Sequence, residues 1–226
     1  MEQLTNDFFL DLTGGFPLST DSMVLADFVR LPKNAAVLDL GSGCGTLGML
    51  LCARDRTCRV TGIELDESAH QAALQNIERN GLSLRLSSIC ADLRTMPLPA
   101  GSFSVCLSNP PYFSGGERHS RTPDARREDT CAPKELFAAA SRALRFGGDF
   151  FLVHKPEKLA QLCHEASAAG LEPKRLRLVR HRPGAPVSLI LLSCRKGARP
   201  GLQIDELTLH HADGTPTADY QRIYHL

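Results

Sequence analysis

A strand, a glycine-rich loop and a helix follow one another between residues 35 and 54, and this unit constrains the fold more than any other stretch. The apolar run Ala35 to Leu40 predicts a short buried strand, and GSGCGT follows it at residues 41–46. The next residues, LGMLLCAR, are typical of a buried helix. Closely spaced glycines let the backbone turn tightly near a ligand, and the helix start offers free N–H groups. The unit therefore predicts an α/β fold with a nucleotide-type binding loop.

The glycines alone do not identify the ligand. Gly43, Gly45 and Gly48 also match the G-x-G-x-x-G pattern of dinucleotide-binding domains. Glu64 follows about 20 residues later, at the end of the predicted strand RVTGIELD, as that pattern requires. A carboxylate at this position accepts two hydrogen bonds from a ribose diol in any adenosine-like ligand. Glu64 therefore indicates an adenosine-containing ligand without saying which one.

A second site is predicted where an apolar strand ends in Asn-Pro-Pro-Tyr. The sequence FSVCLS at residues 103–108 alternates large apolar with small residues, which favours a central strand of a covered parallel sheet. Pro110 lacks the next ladder donor and keeps Asn109 extended, so its amide projects from the carboxyl edge, where open α/β sheets bind ligands. An amide oxygen beside a fixed carbonyl suits an NH2 group, and Tyr112 can stack on a planar ring. The segment predicts an amine-holding clamp; the alternative is an ordinary turn and a stiff loop.

Strands and helices alternate along most of the chain. The helix that starts near Thr20 and Asp21 is expected to cover the ligand edge, with one of these two residues as its N-cap. The strand LRLSSICAD closes on Asp92, which is placed to contact an adenine amine or, alternatively, to cap a loop or helix. The last two strands, KRLRLVRHR and VSLILLSCRK, are too close for a crossover helix and must pair antiparallel. We therefore predict a seven-stranded, mainly parallel sheet with an antiparallel C-terminal hairpin and helices on both faces.

Basic residues are segregated although the net charge is only +1. Between Lys174 and Arg199 the hairpin carries eight basic residues and no acidic one, so the other 200 residues sum to −7. The basic surface favours a phosphate-rich partner. The alternative is a solvated sheet edge that its charges protect from pairing, but the hairpin sequence contains no acidic residues to balance those charges. The polar loop at residues 114–132 adds Arg118, Arg121, Arg126 and Arg127, and loops of this length are usually lids or binding segments.

Length and composition limit the remaining possibilities. We expect one domain over residues 16–226, with a C-terminal extension at 200–226 and a flexible arm at 1–15. The eight cysteines include no C-x-x-C pair and lie mostly in apolar segments, which indicates reduced thiols rather than zinc ligands. No apolar run approaches the ~18 to 20 residues of a membrane span and no signal pattern opens the chain, so a cytoplasmic protein is expected.

These features together resemble the class I S-adenosylmethionine-dependent methyltransferases, which have a Rossmann-like fold. In that family an Asp-x-Gly-x-Gly-x-Gly loop, here Asp39 to Gly45, holds the methionyl part of the cofactor. The resemblance implies that Glu64 takes the ribose hydroxyls and Asp92 the adenine. It implies S-adenosylmethionine as cofactor, S-adenosylhomocysteine as product and no metal. The implied cofactor-binding residues are Thr20, Asp21, Asp39, Gly41, Gly43, Gly45, Glu64, Asp92 and Asn109.

The Asn-Pro-Pro-Tyr tetrapeptide is the mark of the amino-methylating branch, and it implies Asn109, Pro110 and Tyr112 as catalytic residues. The lead from Phe16 to Asp21, the DARRE segment and the tail LQIDELTLHHADGTPTADYQRIY resemble the adenine-N6 methyltransferases that modify valine tRNA beside the anticodon. RNA, most simply tRNA, is therefore the expected partner, without a membrane or an obligate protein partner. The expected substrate-binding residues are Tyr112, Phe113, Arg118, Arg121, Arg126, Arg175, Arg177 and Arg180.

Four other functions remain open from the sequence. A guanine-N2 RNA methyltransferase fits the same clamp, because the sequence does not choose the base. A glutamine-N5 protein methyltransferase shares the tetrapeptide, but those enzymes resemble chains with a helical domain upstream, and only 34 residues precede the first core strand here. A nicotinamide dehydrogenase fits the glycines but leaves Asn109 to Tyr112 unexplained. The last is an RNA-binding protein of the same fold without catalytic activity.

Overall fold

The described part of the chain contains ten strands and six helices. The computed structural model describes residues 2–3, 8–10, 18–110 and 131–224. Within these ranges the strands are β1 (Glu2–Gln3), β2 (Phe9–Leu10), β3 (Ala36–Leu40), β4 (Arg59–Glu64), β5 (Leu86–Cys90), β6 (Phe103–Ser108), β7 (Leu144–His154), β8 (Leu171–Arg180), β9 (Val187–Lys196) and β10 (Gln203–Thr208). The helices are α1 (Thr20–Phe28), α2 (Thr46–Arg54), α3 (Glu67–Arg79), α4 (Pro133–Ala143), α5 (Leu159–Ala168) and α6 (Ala218–Tyr224), with a 3-10 turn at Pro156–Lys158.

One sheet organises these elements. Its strand order is β10-β8-β9-β7-β6-β3-β4-β5, and β9 is the strand that runs antiparallel to its neighbours β7 and β8. The predicted mainly parallel sheet with an antiparallel C-terminal hairpin is therefore confirmed. The strand count differs from the prediction, because β10 from the C-terminal extension adds an eighth strand, parallel to β8.

Two apolar layers fill the spaces between the sheet and its helices. One layer contains side chains from α1, α2, α3 and α6, and the other contains side chains from α4 and α5. In the first layer Phe28 meets Phe151 edge-to-face with ring centroids 5.9 Å apart, and in the second Phe137 meets Phe150 at 5.3 Å. All four rings are at most 2% exposed, and burial of each contributes roughly 1.5 to 3 kcal/mol. The sheet is thus covered on both faces, as a mainly parallel sheet requires.

Two element boundaries differ from the prediction. Ser19 is the N-cap of α1, since its hydroxyl accepts the Ser22 N–H at 3.3 Å, so neither Thr20 nor Asp21 caps the helix. The apolar run DFFLVHK predicts a strand that follows the glycine pair at 147–148, whereas β7 begins at Leu144, because a register shift against β6 accommodates the pair within the strand. The predicted end of β6 before Asn109 is confirmed.

The described part of the N-terminal arm contacts the domain. β1 and β2 pair antiparallel, and the side chain of Asn80 hydrogen-bonds both the N–H and the carbonyl of Phe9 at 2.9 and 2.8 Å. Leu10 is completely buried. The flexibility of residues 1–15 and the domain boundary at residue 16 stay predictions.

The basic hairpin has acidic partners that its own sequence lacks. β10 covers the outer edge of β8, and Asp205 accepts a bond from Arg177 Nε at 2.6 Å and lies 3.6 Å from Arg175. The side chains of Arg175 and Arg177 are only 14% and 20% exposed. The premise that these arginines lack acidic partners is therefore wrong, because the partners come from β10 and α1. The pairs are Arg175–Asp205, Arg177–Asp205, Arg177–Asp27 and Arg180–Glu206.

The C-terminal helix packs against α1. The Arg222 guanidinium pairs with Asp27, and the Tyr224 hydroxyl donates to Thr20 Oγ1 at 3.0 Å. Tyr220 stacks on Tyr224 with ring centroids 4.2 Å apart. The C-terminal extension is therefore built into the domain through both β10 and α6.

Two further observations concern composition. All eight cysteines are free thiols, as predicted. Within the described ranges, every helix is too short or too polar to cross a lipid bilayer.

The pairing of β10 with the hairpin predicts a difference between two neighbouring acidic residues. Asp205→Ala should lower the free energy of unfolding by about 1 to 2 kcal/mol, because two largely buried guanidiniums lose their carboxylate. Glu206→Ala is the matched control, since Glu206 is about as exposed as Asp205, at 54% against 45%, but makes a single pair, at 3.5 Å with Arg180; a loss of at most about 0.5 kcal/mol is expected. Urea denaturation measures both values. Equal losses in the two variants would contradict a structural role for the Asp205 pairs.

Candidate active site at the carboxyl edge of the sheet

Three strands bring the predicted site residues to one edge of the sheet. Asp39 of β3 lies opposite Leu107 of β6 on one side and Gly62 of β4 on the other. Asn109 and Glu64 therefore reach the edge on either side of the loop that follows β3. The Ser108 hydroxyl donates to the Leu40 carbonyl at 2.7 Å, which ties the ends of β6 and β3 together. The loop and the clamp residue consequently share one rigid base.

The glycine loop is fixed by hydrogen bonds on its protein side and open on the other. The N–H groups of Gly41 and Ser42 both donate to the Ile63 carbonyl, at 2.9 and 3.0 Å. Gly41, Gly43 and Gly45 all have positive φ, between 53° and 88°, which a residue with a Cβ adopts only with strain. A Cβ at Gly41 or Gly43 would meet no described atom within 4 Å. The space beside these two glycines is therefore available to a ligand.

Packing from behind holds the loop in place. The buried Asn76 side chain of α3 donates to the Cys44 carbonyl at 3.1 Å. Ser42 sits so close to β4 that a Cβ at Gly62 would lie 2.5 Å from its hydroxyl oxygen. Only glycine at position 62 permits this approach. The loop conformation thus depends on contacts from α3 and β4 as well as on its own glycines.

Asp39 is the most unusual group of the site. Its side chain is 1% exposed, and neither carboxylate oxygen has a hydrogen-bond partner among the described residues. Burial, and secondarily the charge of Glu64, raise the pKa of Asp39 to about 7. A buried carboxylate without a partner is costly, so the site fits a ligand that brings a cationic or N–H group to Asp39.

Glu64 and Asp92 are both hydrogen-bonded within the chain. Glu64 accepts the N–H groups of Gly43 and Asp66, at 2.8 and 2.9 Å. Asp92 lies two residues beyond β5, and the Arg94 side chain binds both of its oxygens, which lowers the pKa of Asp92. Each carboxylate oxygen has two lone pairs, so both residues keep capacity for hydroxyl or amine donors. The predicted ligand contacts of Glu64 and Asp92 stay predictions.

Asn109 is held at the edge by the helix above it. Its side-chain Nδ2 donates to the Ser22 hydroxyl at 3.1 Å, and Pro110 behind it is buried. Because the amide nitrogen is used by Ser22, the amide oxygen is the group left for a ligand. This oxygen is the acceptor that the predicted clamp requires.

Thr20 and Asp21 lie in the same turn of α1 as Ser22. The Thr20 hydroxyl oxygen accepts the Tyr224 hydroxyl at 3.0 Å. Burial raises the pKa of Asp21, and the nearby Lys155 opposes this shift. The structure therefore places this turn at the carboxyl edge beside Asn109, while direct cofactor contacts of Thr20 and Asp21 stay a prediction.

Other predicted substrate residues are not brought to the clamp. Arg175 and Arg177 pack over the Phe28 ring, with guanidinium carbons 4.4 and 5.5 Å from its centroid. Arg180 pairs with Glu206 and donates to the Ala185 carbonyl. These contacts engage all three arginines within the chain. The remaining predicted residues, Tyr112, Phe113, Arg118, Arg121 and Arg126, lie outside the described residues.

The donor set tests whether S-adenosylmethionine fits. Asp39, whose carboxylate has no hydrogen-bond partner among the described residues, matches the ammonium group of the cofactor. The open space beside Gly41 and Gly43 matches its methionyl chain, and the Glu64 carboxylate matches its ribose diol. The residues present therefore fit the cofactor. The described residues contain no cluster of three or more His, Cys, Asp or Glu side chains that could hold a metal, and independence from metal stays a prediction.

Sequence reasoning missed four supporting residues. Ser22, Ser42, Asn76 and Ser108 position the loop and the clamp through contacts with residues distant in the chain. Serine and asparagine are common in helices and strands, so these residue types alone do not indicate a functional site. Only the position of Ser108, directly before Asn109, pointed towards the site.

The buried carboxylate of Asp39 predicts that the stability of the ligand-free protein depends on pH. Below pH 3.8 the Asp39 carboxyl is protonated in both the folded and the unfolded state. Between pH 3.8 and about 7 only the unfolded chain releases this proton, so the free energy of unfolding falls as the pH rises and levels off above about pH 7. Asp39→Asn removes this penalty and should stabilise the ligand-free protein at pH 8 by on the order of 2 kcal/mol, or roughly 4 to 8 °C in Tm.

Asp55→Asn is the control for this measurement. Hydrogen bonds from Thr57 lower the pKa of Asp55, so its removal should destabilise the protein. Differential scanning calorimetry gives both shifts. A lower Tm for Asp39→Asn would mean that the carboxylate has a partner that stabilises it.

Comparison with known proteins places the chain in a family. Residues 18–165 match the model of the methyltransferase small domain. A tRNA1(Val) (adenine(37)-N6)-methyltransferase from Bacteroides fragilis is 31% identical over 180 residues, which cover 78% of this chain and 76% of the relative. The enzyme of the same name from Photobacterium profundum is 28% identical over 212 residues, covering 91% and 88%.

The fold has a solved counterpart as well. The crystal structure of a predicted O-methyltransferase from Agrobacterium tumefaciens superposes with a TM-score of 0.78 at 22% identity, covering 91% of this chain and 96% of that one. At this identity the likeness concerns the fold. Taken with the family match and the fit of the carboxyl-edge site, it means that the chain belongs to the methyltransferase small domain family and is an S-adenosylmethionine-dependent methyltransferase.

Proposed function

We propose that the protein methylates the exocyclic N6 of an adenine in tRNA. The observation that carries the proposal is the position of Asn109: Ser22 binds its amide nitrogen, and its amide oxygen has no hydrogen-bond partner among the described residues. The relatives described above are named for the adenine at position 37 of a valine tRNA. We infer the same target here, which also implies action in the cytoplasm.

Asn109 and Pro110 would activate the target amine. When bound, S-adenosylmethionine supplies a methyl group activated by a sulfonium sulfur. Adenine N6 is a poor nucleophile, because its lone pair is delocalised into the ring. If the Asn109 amide oxygen and the Pro110 carbonyl accept its two N–H bonds, they favour a pyramidal nitrogen and its developing positive charge. As the bond from the methyl carbon to N6 forms, its bond to sulfur would break, and one proton would then leave N6 for solvent.

The cofactor residues would mainly supply position. Asp39 would receive the amino group of the methionyl part, Glu64 the ribose hydroxyls and Asp92 the adenine amine, with the backbone of Gly41 and Gly43 against the chain between them. Holding two reactants in line is worth up to about 7 to 11 kcal/mol. No nucleophilic side chain is needed for such a transfer.

The tRNA contacts would come from the segment that follows the clamp. Tyr112 and Phe113 are placed by sequence to stack on the exposed base, which returns ~1 to 3 kcal/mol per base. The arginines at 118, 121 and 126 would bind phosphate. A tRNA anticodon loop already presents unstacked bases, so a small domain can reach the target base without opening a duplex.

The decisive experiment is incubation with methyl-labelled cofactor and total tRNA, followed by nucleoside analysis. Label in N6-methyladenosine of valine tRNA is expected. Asn109→Ala should reduce the rate at least about 100-fold while cofactor affinity stays within about twofold, because the amide contacts the target amine more than the cofactor. Asn80→Ala is the matched control and should keep the rate, because Asn80 is the C-cap of α3 and its side chain hydrogen-bonds Phe9 of β2.

The same experiment separates the other functions. Label in N2-methylguanosine, or in protein when a lysate replaces tRNA, would replace the adenine target by the guanine or glutamine alternative. Cofactor binding without transfer to any RNA would leave the protein as a non-catalytic binder. Full turnover by Asn109→Ala would contradict the clamp itself.

A second prediction concerns the pH dependence of cofactor binding. Asp39 is protonated in the free protein below about pH 7, so binding a cationic amino group there must release its proton. The affinity for S-adenosylhomocysteine should rise up to tenfold per pH unit between pH 5.5 and 7 and level off above. Isothermal titration calorimetry measures this, and Asp39→Asn should bind weakly with a flat profile. A flat profile in the unmodified protein would remove Asp39 from the amino site.

A further inference from the structure

In the part of the chain that the structure describes, the first turn of α1 contacts the clamp residue Asn109 through the side chain of Ser22. The Ser22 side chain is 8% exposed, and its hydroxyl oxygen accepts Asn109 Nδ2 at 3.1 Å across 87 residues of sequence. Its oxygen also accepts the hydroxyl of the N-cap residue Ser19 at 3.4 Å, within the same helix turn. Asn109 is therefore the neighbour of Ser22 that lies outside α1 and its N-cap.

We infer that Ser22 is a positioning residue that sets the orientation of the Asn109 carboxamide for methyl transfer. This inference rests on the proposed function. An asparagine amide offers an acceptor on one side and two donors on the other, and a rotation of 180° exchanges them. With Nδ2 bonded to Ser22, the oxygen is presented to the target amine. In the opposite orientation two N–H groups would face the N–H bonds of the substrate and repel it.

The helix that carries Ser22 is itself held against the sheet. Tyr224 bonds Thr20, two residues before Ser22, and Arg222 pairs with Asp27 at the other end of the helix. Arg177 lies 3.7 Å from the same aspartate, and the Arg175 guanidinium packs on Phe28. Both ends of α1 are thus tied to the C-terminal extension or the hairpin. A fixed helix gives the Ser22 hydroxyl a fixed position, which an orienting contact requires.

The test compares two serines with the same burial. Ser22→Ala should lower kcat about 10- to 100-fold, with the KM for tRNA changed less and the Kd for S-adenosylhomocysteine unchanged within twofold. Ser104→Ala is the control: Ser104 is also 8% exposed and its hydroxyl donates to the Ala36 carbonyl at 3.0 Å, at the opposite end of β6. It should lose stability to a similar extent without losing kcat. Ser22→Thr, which keeps the hydroxyl, should recover most of the activity.

The outcomes separate this inference from the proposed function. If the unmodified protein does not methylate tRNA, the proposed function fails. If it does and Ser22→Ala keeps the kcat of the unmodified protein, or Ser104→Ala loses as much, the orienting role is wrong. Circular dichroism and thermal melting verify that each variant is folded. A folded Ser22→Thr variant as slow as Ser22→Ala would also count against the hydroxyl.

Discussion

Burial of the Asp39 carboxylate is the electrostatic constraint that the rest of the fold has to offset. A carboxylate with 1% exposure and no partner among the described residues opposes folding, because its charged form has lost its hydration. The surrounding layers must outweigh this cost, and the two apolar cores on either face of the sheet do so. The charge becomes favourable only when a ligand supplies the missing donors. If the cofactor binds as proposed, Asp39 would couple stability to cofactor binding, because the ligand would offset the cost that the buried carboxylate imposes on the ligand-free protein.

Convergence on one sheet edge explains how a site with few mobile parts can be built from distant segments. Parallel strands place all their carboxyl ends together, so Asp39, Glu64 and Asn109 meet without any long loop among them. Ser108 ties β6 to β3, and the Ile63 carbonyl binds two N–H groups of the glycine loop. The cofactor side and the clamp side therefore share the same backbone frame. A methyl transfer that relies on alignment rather than on acid or base chemistry needs such a frame.

The part of this design that could be predicted from sequence is the part encoded locally. An apolar run followed by glycines specifies β3 and its loop, and Pro110 ends β6 wherever the strand is placed. The acidic cover of the hairpin could not be predicted in the same way. β10 is a six-residue strand with charged residues in its centre, so neither apolar alternation nor length distinguishes it from a loop. Its carboxylates pair with arginines about 30 residues earlier, and this pairing exists only after β10 has joined β8. Segregation of charge along the chain had suggested a phosphate-binding surface, whereas folding brings the opposite charges together.

The pairing of β10 with β8 gives the C-terminal extension a structural role in the domain. Through β10 it neutralises Arg175 and Arg177, which lets both guanidiniums pack on the Phe28 ring at the end of α1 instead of remaining hydrated. Through α6 it bonds Thr20 at the start of that helix. α1 in turn carries Ser22, which bonds the amide of Asn109. The C-terminal extension is thus connected to the side chain of Asn109 through one helix, which is held at both ends.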